Sequence, residues 1–153
     1  SNCPPKNLVQ IGIGGWDGNR PGSEVARDRG PSVITMKDFE ELGTAGTAAM
    51  ALDLAWKGCD AVYLSFDIDS IDPGYAPGTG TPEPGGFTPR EALEMVRIIA
   101  KEGLCAMEVV EVSPPYDVND STSQLACRVI LDTLGTMVTE GKLGHRDKVM
   151  RPE

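Results

Sequence analysis

Positive charge is scarce in this sequence: Lys and Arg number 14 against 23 Asp and Glu, giving a formal net charge of −9. A protein that grips phosphate backbones needs the opposite balance, so no nucleic-acid partner is expected, and cationic ligands are favoured. Paired cysteines are also missing. Cys3, Cys59, Cys105 and Cys127 are scattered with no C-x-x-C among them, which argues against a zinc knuckle or a redox motif and makes free thiols the expectation. No run of about eighteen apolar residues exists, so no membrane span is expected. The start, Ser1-Asn2-Cys3-Pro4-Pro5-Lys6, lacks the apolar core of a signal peptide, and a soluble, cytoplasmic protein is expected. Histidine occurs once, as His145 in a charged tail, and reads as a solvated surface residue.

What is there suffices for a core. The 153 residues are 40% hydrophobic, in the range of one compact domain. Leu8 to Ile13 reads as a short buried strand, followed by a glycine-rich loop from Gly14 to Gly22 and a second strand over Ser32–Met36. Helical pattern runs from Thr44 to Lys57, with Met50, Leu54 and Trp56 among its apolar positions and Gly58 as its stop. Ala61 to Phe66 is continuous and apolar, as in a strand covered on both faces. Thr88-Pro89-Arg90-Glu91 is a capping box before an amphipathic helix that ends near Gly103. Leu104–Val112 is another strand, interrupted by Glu108 and Glu111. Ser121-Thr122-Ser123-Gln124 repeats the capping pattern before a helix whose Val129, Ile130, Leu134, Met137 and Val138 are spaced for one buried face. No repeat is present, and the alternation of strands and helices predicts a mostly parallel sheet with helices on its faces. The missing initial methionine and the early first strand fit a piece of something longer.

The chemistry concentrates in Ser65-Phe66-Asp67-Ile68-Asp69-Ser70-Ile71-Asp72-Pro73 and the loop that runs on to Gly86. In an extended chain Asp67 and Asp69 point the same way, about 7 Å apart. They leave a central strand at its C-terminal end, the edge where ligands collect in open α/β sheets. Two carboxylates on one face repel, and a divalent cation removes that penalty. Taken alone, a D-x-D after a strand is more readily a turn or cap than a metal site. An EF-hand fails, because its fifth and twelfth positions would be Ile71 and Gly78. A dinucleotide fingerprint at Gly12-Ile13-Gly14-Gly15-Trp16-Asp17 fails as well, with Asp17 in place of the third glycine and Asn19-Arg20-Pro21-Gly22 not expected to start a helix.

The run from Ser65 to Gly86 resembles the signature of the ureohydrolases, the family of arginase and agmatinase: Ser-apolar-Asp-apolar-Asp, then Pro73, Pro77-Gly78 and Gly86 at matching intervals. Val109-Val110-Glu111-Val112-Ser113-Pro114-Pro115-Tyr116-Asp117 resembles the second landmark in its agmatinase form, and Val9 to Ile13 is similar to the strand that precedes both. The resemblance implies a three-layer α/β/α fold with a mostly parallel sheet, of which residues 1–141 form the C-terminal part of one domain and residues 142–153 a polar tail. It implies two divalent metal ions, manganese first and nickel if the substrate is free guanidine. Asp67 would bridge the metals and Asp69 bind one of them. Glu111 would pair with the substrate guanidinium, and Thr81 would line the site. Glu108 competes with Glu111 for that role, but the Ser-Pro landmark after Glu111 favours Glu111. Trp16, on the glycine-rich loop, is either a wall of the substrate pocket or a packing residue, and Asp72 shapes the loop.

The reaction implied is hydrolysis of a small guanidinium compound to urea and an amine, with agmatine first and free guanidine, guanidinobutyrate or guanidinopropionate as alternatives. The family's other ligands, a histidine and an Asp-x-His-x-Asp run from earlier strand ends, are absent, so the chain alone is expected to be inactive and to need the missing N-terminal half. A non-catalytic remnant or scaffold is the alternative of another class. A homo-oligomer, trimer or hexamer, is expected by resemblance alone.

Overall fold

The computed structural model describes residues 3–15 and 20–144. Short parallel strands alternate with helices: β1 (Val9–Ile11), α1 (Arg20–Arg29), β2 (Ser32–Ile34), α2 (Met36–Ala55), β3 (Tyr63–Asp67), α3 (Pro89–Lys101), β4 (Ala106–Val110) and α4 (Ser121–Thr139). β1 pairs with β2 and β3 with β4, both parallel, as two separate two-stranded sheets among the described residues. The expected α/β class with parallel pairing is therefore present.

One core serves both sheets. Phe66 of β3, Ala92, Met95, Val96 and Ile99 of α3, and Leu125, Ala126 and Val129 of α4 are buried together with Phe39 of α2 and Phe87. Phe87 meets Phe39 edge to face at 4.9 Å, and its backbone bridges Ile71, which fastens the loop after β3 to the start of α3. Gly12, directly after β1, has φ +70, and a Cβ there would lie 2.4 Å from the Phe87 ring. Only glycine meets both demands.

Several expectations are corrected. A helix does begin at Arg20, because proline is tolerated in a first turn where its N–H would be unpaired anyway. β2 ends at Ile34 and α2 starts at Met36: Thr35 accepts from the Asp38 N–H and Asp38 accepts from the Thr35 N–H, a capping box with Asp in the place of Glu. The expected start at Thr44 follows Gly43, whose φ of 68 kinks the helix. β3 is not covered on both faces. Leu64 and Phe66 face the core, whereas Tyr63 is 52% exposed and Ser65 is exposed beside it. Glu108 lies on that open face and accepts from Ser65 Oγ at 2.9 Å, which explains a carboxylate inside an apolar run. On α4, Val129 and Met137 are buried but Ile130, Leu134 and Val138 are exposed, because the helix turns its Leu125–Val129–Thr133–Met137 side to the core. Among the described residues no helix is long and apolar enough to cross a membrane.

Candidate functional site

β3 delivers Asp67 to its C-terminal end, but the strand stops there. Ile68–Ser70 is a 3-10 turn, and the buried Ile68 anchors it in the core. Asp67 and Asp69 are thus not neighbours on one extended strand. The Asp69 N–H donates to Asp67 Oδ1 at 2.9 Å, and Ser70 Oγ donates to the Asp67 carbonyl at 2.7 Å. Both aspartates nevertheless open onto one cavity of about 360 Å³, together with Ser70, Thr81, Glu83 and the Gly12–Gly15 turn after β1. That volume lies in the range of small-ligand sites.

Desolvation by the surrounding protein pushes the Asp67 carboxyl above its ordinary value; the Asp69 N–H pulls it back, and the charges of Asp69 and Glu111 push it up again. Glu111 follows β4 directly, next to the register pair Asp67↔Val110. Its φ of 64 is a left-handed conformation that a non-glycine residue adopts at a cost. Asp69 is held by two hydroxyls. Thr79 Oγ1 meets its Oδ1 and Thr81 Oγ1 its Oδ2. The Thr79 hydroxyl also lies 3.0 Å from the Glu111 carbonyl, so its one proton serves either acceptor and ties the two strand ends together.

The structure thus brings Asp67, Asp69 and Thr81 to one cavity, whereas Glu111 does not line it and sits one residue past Val110, the register partner of Asp67. Trp16 and His145 lie outside the described residues. Thr79, 4% exposed, was missed in the sequence, although Gly78-Thr79-Gly80-Thr81 carries a usable signal: hydroxyls two residues apart can serve both oxygens of one carboxylate. Asp72 accepts from the N–H groups of Gly74 and Gly85, both at 2.8 Å, and so folds the loop back on itself.

Asp117 was also missed as a support. The expected cap at Ser121 is absent: α4 starts behind a left-handed Asp120 that makes no side-chain cap. Asp117 takes over by accepting from the N–H groups of Val118, Thr122 and Ser123 and from Ser123 Oγ. Thr122 Oγ1 in turn accepts from the Gly78 N–H at 2.8 Å, and a Cβ on Gly78 would lie 2.7 Å from that of Asp117. The loop bearing Thr79 is therefore seated on the start of α4. Gly78→Ala should destabilise the chain by about 1–3 kcal/mol, the usual cost of overpacking, read as a lower urea midpoint.

Burial alone would raise the Asp117 carboxyl, but the N–H groups of Ser123 and Thr122 and the Ser123 hydroxyl outweigh it and hold it far below the ordinary value of 3.8. A depressed folded-state pKa adds stability above the unfolded value, and that contribution drains away as pH falls below it. Asp117→Ala should therefore be less stable than the parent at neutral pH, with the gap closing as pH falls below about 4. Urea unfolding at a series of pH values checks this; a pH-independent gap would contradict it.

Among the described residues no three His, Cys, Asp or Glu side chains stand together as a metal-holding group. The donor set fits a cation in part: two crowded carboxylates supply hard oxygens and benefit from a positive charge between them.

The α/β fold, with a cavity at its strand ends, is one that known proteins share. The family model described as "Arginase family" matches residues 1–135, and the chain belongs to that family. It is 42% identical over 130 residues to a guanidinopropionase from Pseudomonas aeruginosa, covering 85% of this chain and 40% of that protein. It is 37% identical over 130 residues to an agmatinase from Proteus mirabilis, covering 85% and 39%. The solved arginase from Bacillus subtilis superposes with a TM-score of 0.79 at 33% identity, over 86% of this chain and 44% of that one. The chain thus spans about two fifths of the length of the curated relatives it matches.

Proposed function

We propose that this chain is the C-terminal part of a metal-dependent ureohydrolase, with residues 1–141 in the domain, and that the whole enzyme cleaves a guanidinium compound into urea and an amine. Agmatine, giving putrescine and urea, is the first substrate. Guanidinopropionate and guanidinobutyrate follow, as does free guanidine. The observation that carries this reading is the cavity at the end of β3, where Asp67, Asp69 and Thr81 converge within electrostatic reach of Glu111.

In this reading Asp67 would help hold both of two divalent cations, manganese first and nickel if the substrate is free guanidine, and Asp69 would help hold one of them. Such a pair, when bound, supplies an activated water near neutral pH. The work of this chain's own side chains is positional. The Asp69 N–H orients the Asp67 carboxylate, and the Thr79 and Thr81 hydroxyls fix that of Asp69. Glu111 accepts two parallel N–H bonds from the planar guanidinium and so aims its carbon at the cavity. Trp16 is assigned a place along the substrate's path.

The isolated chain is assigned no turnover, because its oxygen ligands are too few for two cations. The working enzyme is read as a cytoplasmic homo-oligomer, a trimer or hexamer. The test is to express the chain with the missing N-terminal half and measure bound metal and urea release from agmatine, guanidinopropionate, guanidinobutyrate and guanidine. About two metals per chain and urea from one of the four are expected. No urea from any of them would overturn the reading and leave a scaffold role in its place.

A further inference from the structure

The cavity at the strand ends has three carboxylates on its wall, Asp67, Asp69 and Glu83, and no lysine, arginine or histidine among its lining residues. Asp67 ends β3 and Asp69 sits in the turn that follows it. Glu83 comes from the loop that leads to α3, and the hydrolysis described above leaves it unused. Its backbone is held in place. Pro82 and Pro84 flank it, and a residue before proline is confined to extended conformations. Two residues on, the Gly85 N–H donates to Asp72 Oδ2 at 2.8 Å and ties the loop down.

The Glu83 side chain lies along the turn after β1. A Cβ on Gly14 would stand 3.1 Å from that of Glu83, and one on Gly15 would stand 3.0 Å from Glu83 Oε1. Gly15 also has φ +71, so glycine suits both the backbone and the space there. The bare turn is thus a seat for this carboxylate, which borders the cavity from the β1 side while Asp67 and Asp69 border it from the β3 side. No ion pair restrains it, since the salt bridges among the described residues both lie on Asp132. Glu83 is exposed, and a charge at the rim of a site sorts charged ligands by attraction and repulsion.

Compensation separates the three carboxylates. In the ureohydrolase reading, on which this inference rests, the charges of Asp67 and Asp69 are offset by the cations they help hold. Glu83 is then the negative charge left over, and the tail of the substrate is the group that meets it. A tail that ends in an ammonium group is attracted. One that ends in a carboxylate, as in guanidinopropionate or guanidinobutyrate, is repelled, and free guanidine has no tail to offer.

We propose that Glu83 is a specificity-determining residue that accepts N–H bonds from the ammonium end of the substrate, and that the substrate class is therefore a guanidino amine and not a guanidino acid. The Gly14–Gly15 turn makes the room in which that end and the carboxylate meet.

The test compares the completed enzyme with its Glu83→Gln and Glu83→Lys variants on agmatine and on guanidinobutyrate, with bound metal measured on each sample. For agmatine, Glu83→Gln should raise KM about 5-fold with little change in kcat, the pattern of an exposed charge pair lost equally from ground and transition states. Glu83→Lys should lower kcat/KM for agmatine at least about 10-fold and raise it for guanidinobutyrate, because attraction and repulsion change places. Bound metal should match the parent in both variants. An unchanged ratio of the two substrates in Glu83→Lys would overturn the proposal. So would metal that falls with Glu83→Gln, which would make Glu83 a cation ligand. A parent enzyme that prefers guanidinobutyrate to agmatine overturns the substrate class and leaves the ureohydrolase reading standing. A parent that releases urea from no guanidinium compound sinks that reading and this inference with it.

Discussion

Asp67→Asn in the completed enzyme is expected to cut urea release by well over the roughly 10- to 100-fold that loss of an outer-shell partner costs a metal site. The fold should be almost untouched. Asparagine has the shape of aspartate, and its Oδ1 can keep accepting the Asp69 N–H that Asp67 accepts now. What it removes is one negative charge from a cluster in which Asp69 and Glu111 already work against the ionised form. Lost charge at this point means lost hold on a cation, so bound metal should fall together with turnover. Urea production, metal content and the thermal midpoint measured on one preparation separate the cases: unchanged turnover would remove Asp67 from the site, and a collapsed midpoint would make it a structural residue.

Phe87→Ala should have the largest effect on stability. Its side chain is 4% exposed and packs edge to face on Phe39, while Gly12 closes on its ring from the β1 side. Both α2 and the segment after β1 border the vacated space, which limits its collapse. A loss of about 3–5 kcal/mol is expected, comparable with the whole stability of many domains of this size. The chain should then unfold at low urea, and Phe87→Leu, which keeps most of the volume, should recover much of the loss. An unchanged midpoint for the alanine variant would mean that Phe87 does not join the two halves of the core.

The parts of this fold that could be read from the sequence are those where local chemistry and packing agree. Thr88-Pro89-Arg90-Glu91 forms the capping box it spells, with Thr88 Oγ1 accepting from the Glu91 N–H and Glu91 accepting from the Thr88 N–H. Two glycines of the Ser65–Gly86 signature have steric reasons: Gly78 presses on Asp117, and a Cβ on Gly86 would lie 2.5 Å from the Ser70 carbonyl. What escaped the sequence depends on groups far apart in it. The cap of α4 comes from Asp117 because the chain reaches Ser121 through left-handed Asn119 and Asp120, a backbone path that leaves Ser121 no cap to make. The bond from Thr79 to Asp69 crosses ten residues, and the open face of β3 reflects packing that no periodicity in Ala61–Phe66 encodes.

Glu111 has a consequence for anyone who would harden this protein. Its left-handed backbone costs a side-chain-bearing residue roughly 1–2 kcal/mol that glycine would not incur. A library selected only for heat tolerance should therefore enrich Glu111→Gly, and the same library selected for turnover should purge it. Robustness and activity would then pull on one codon in opposite directions.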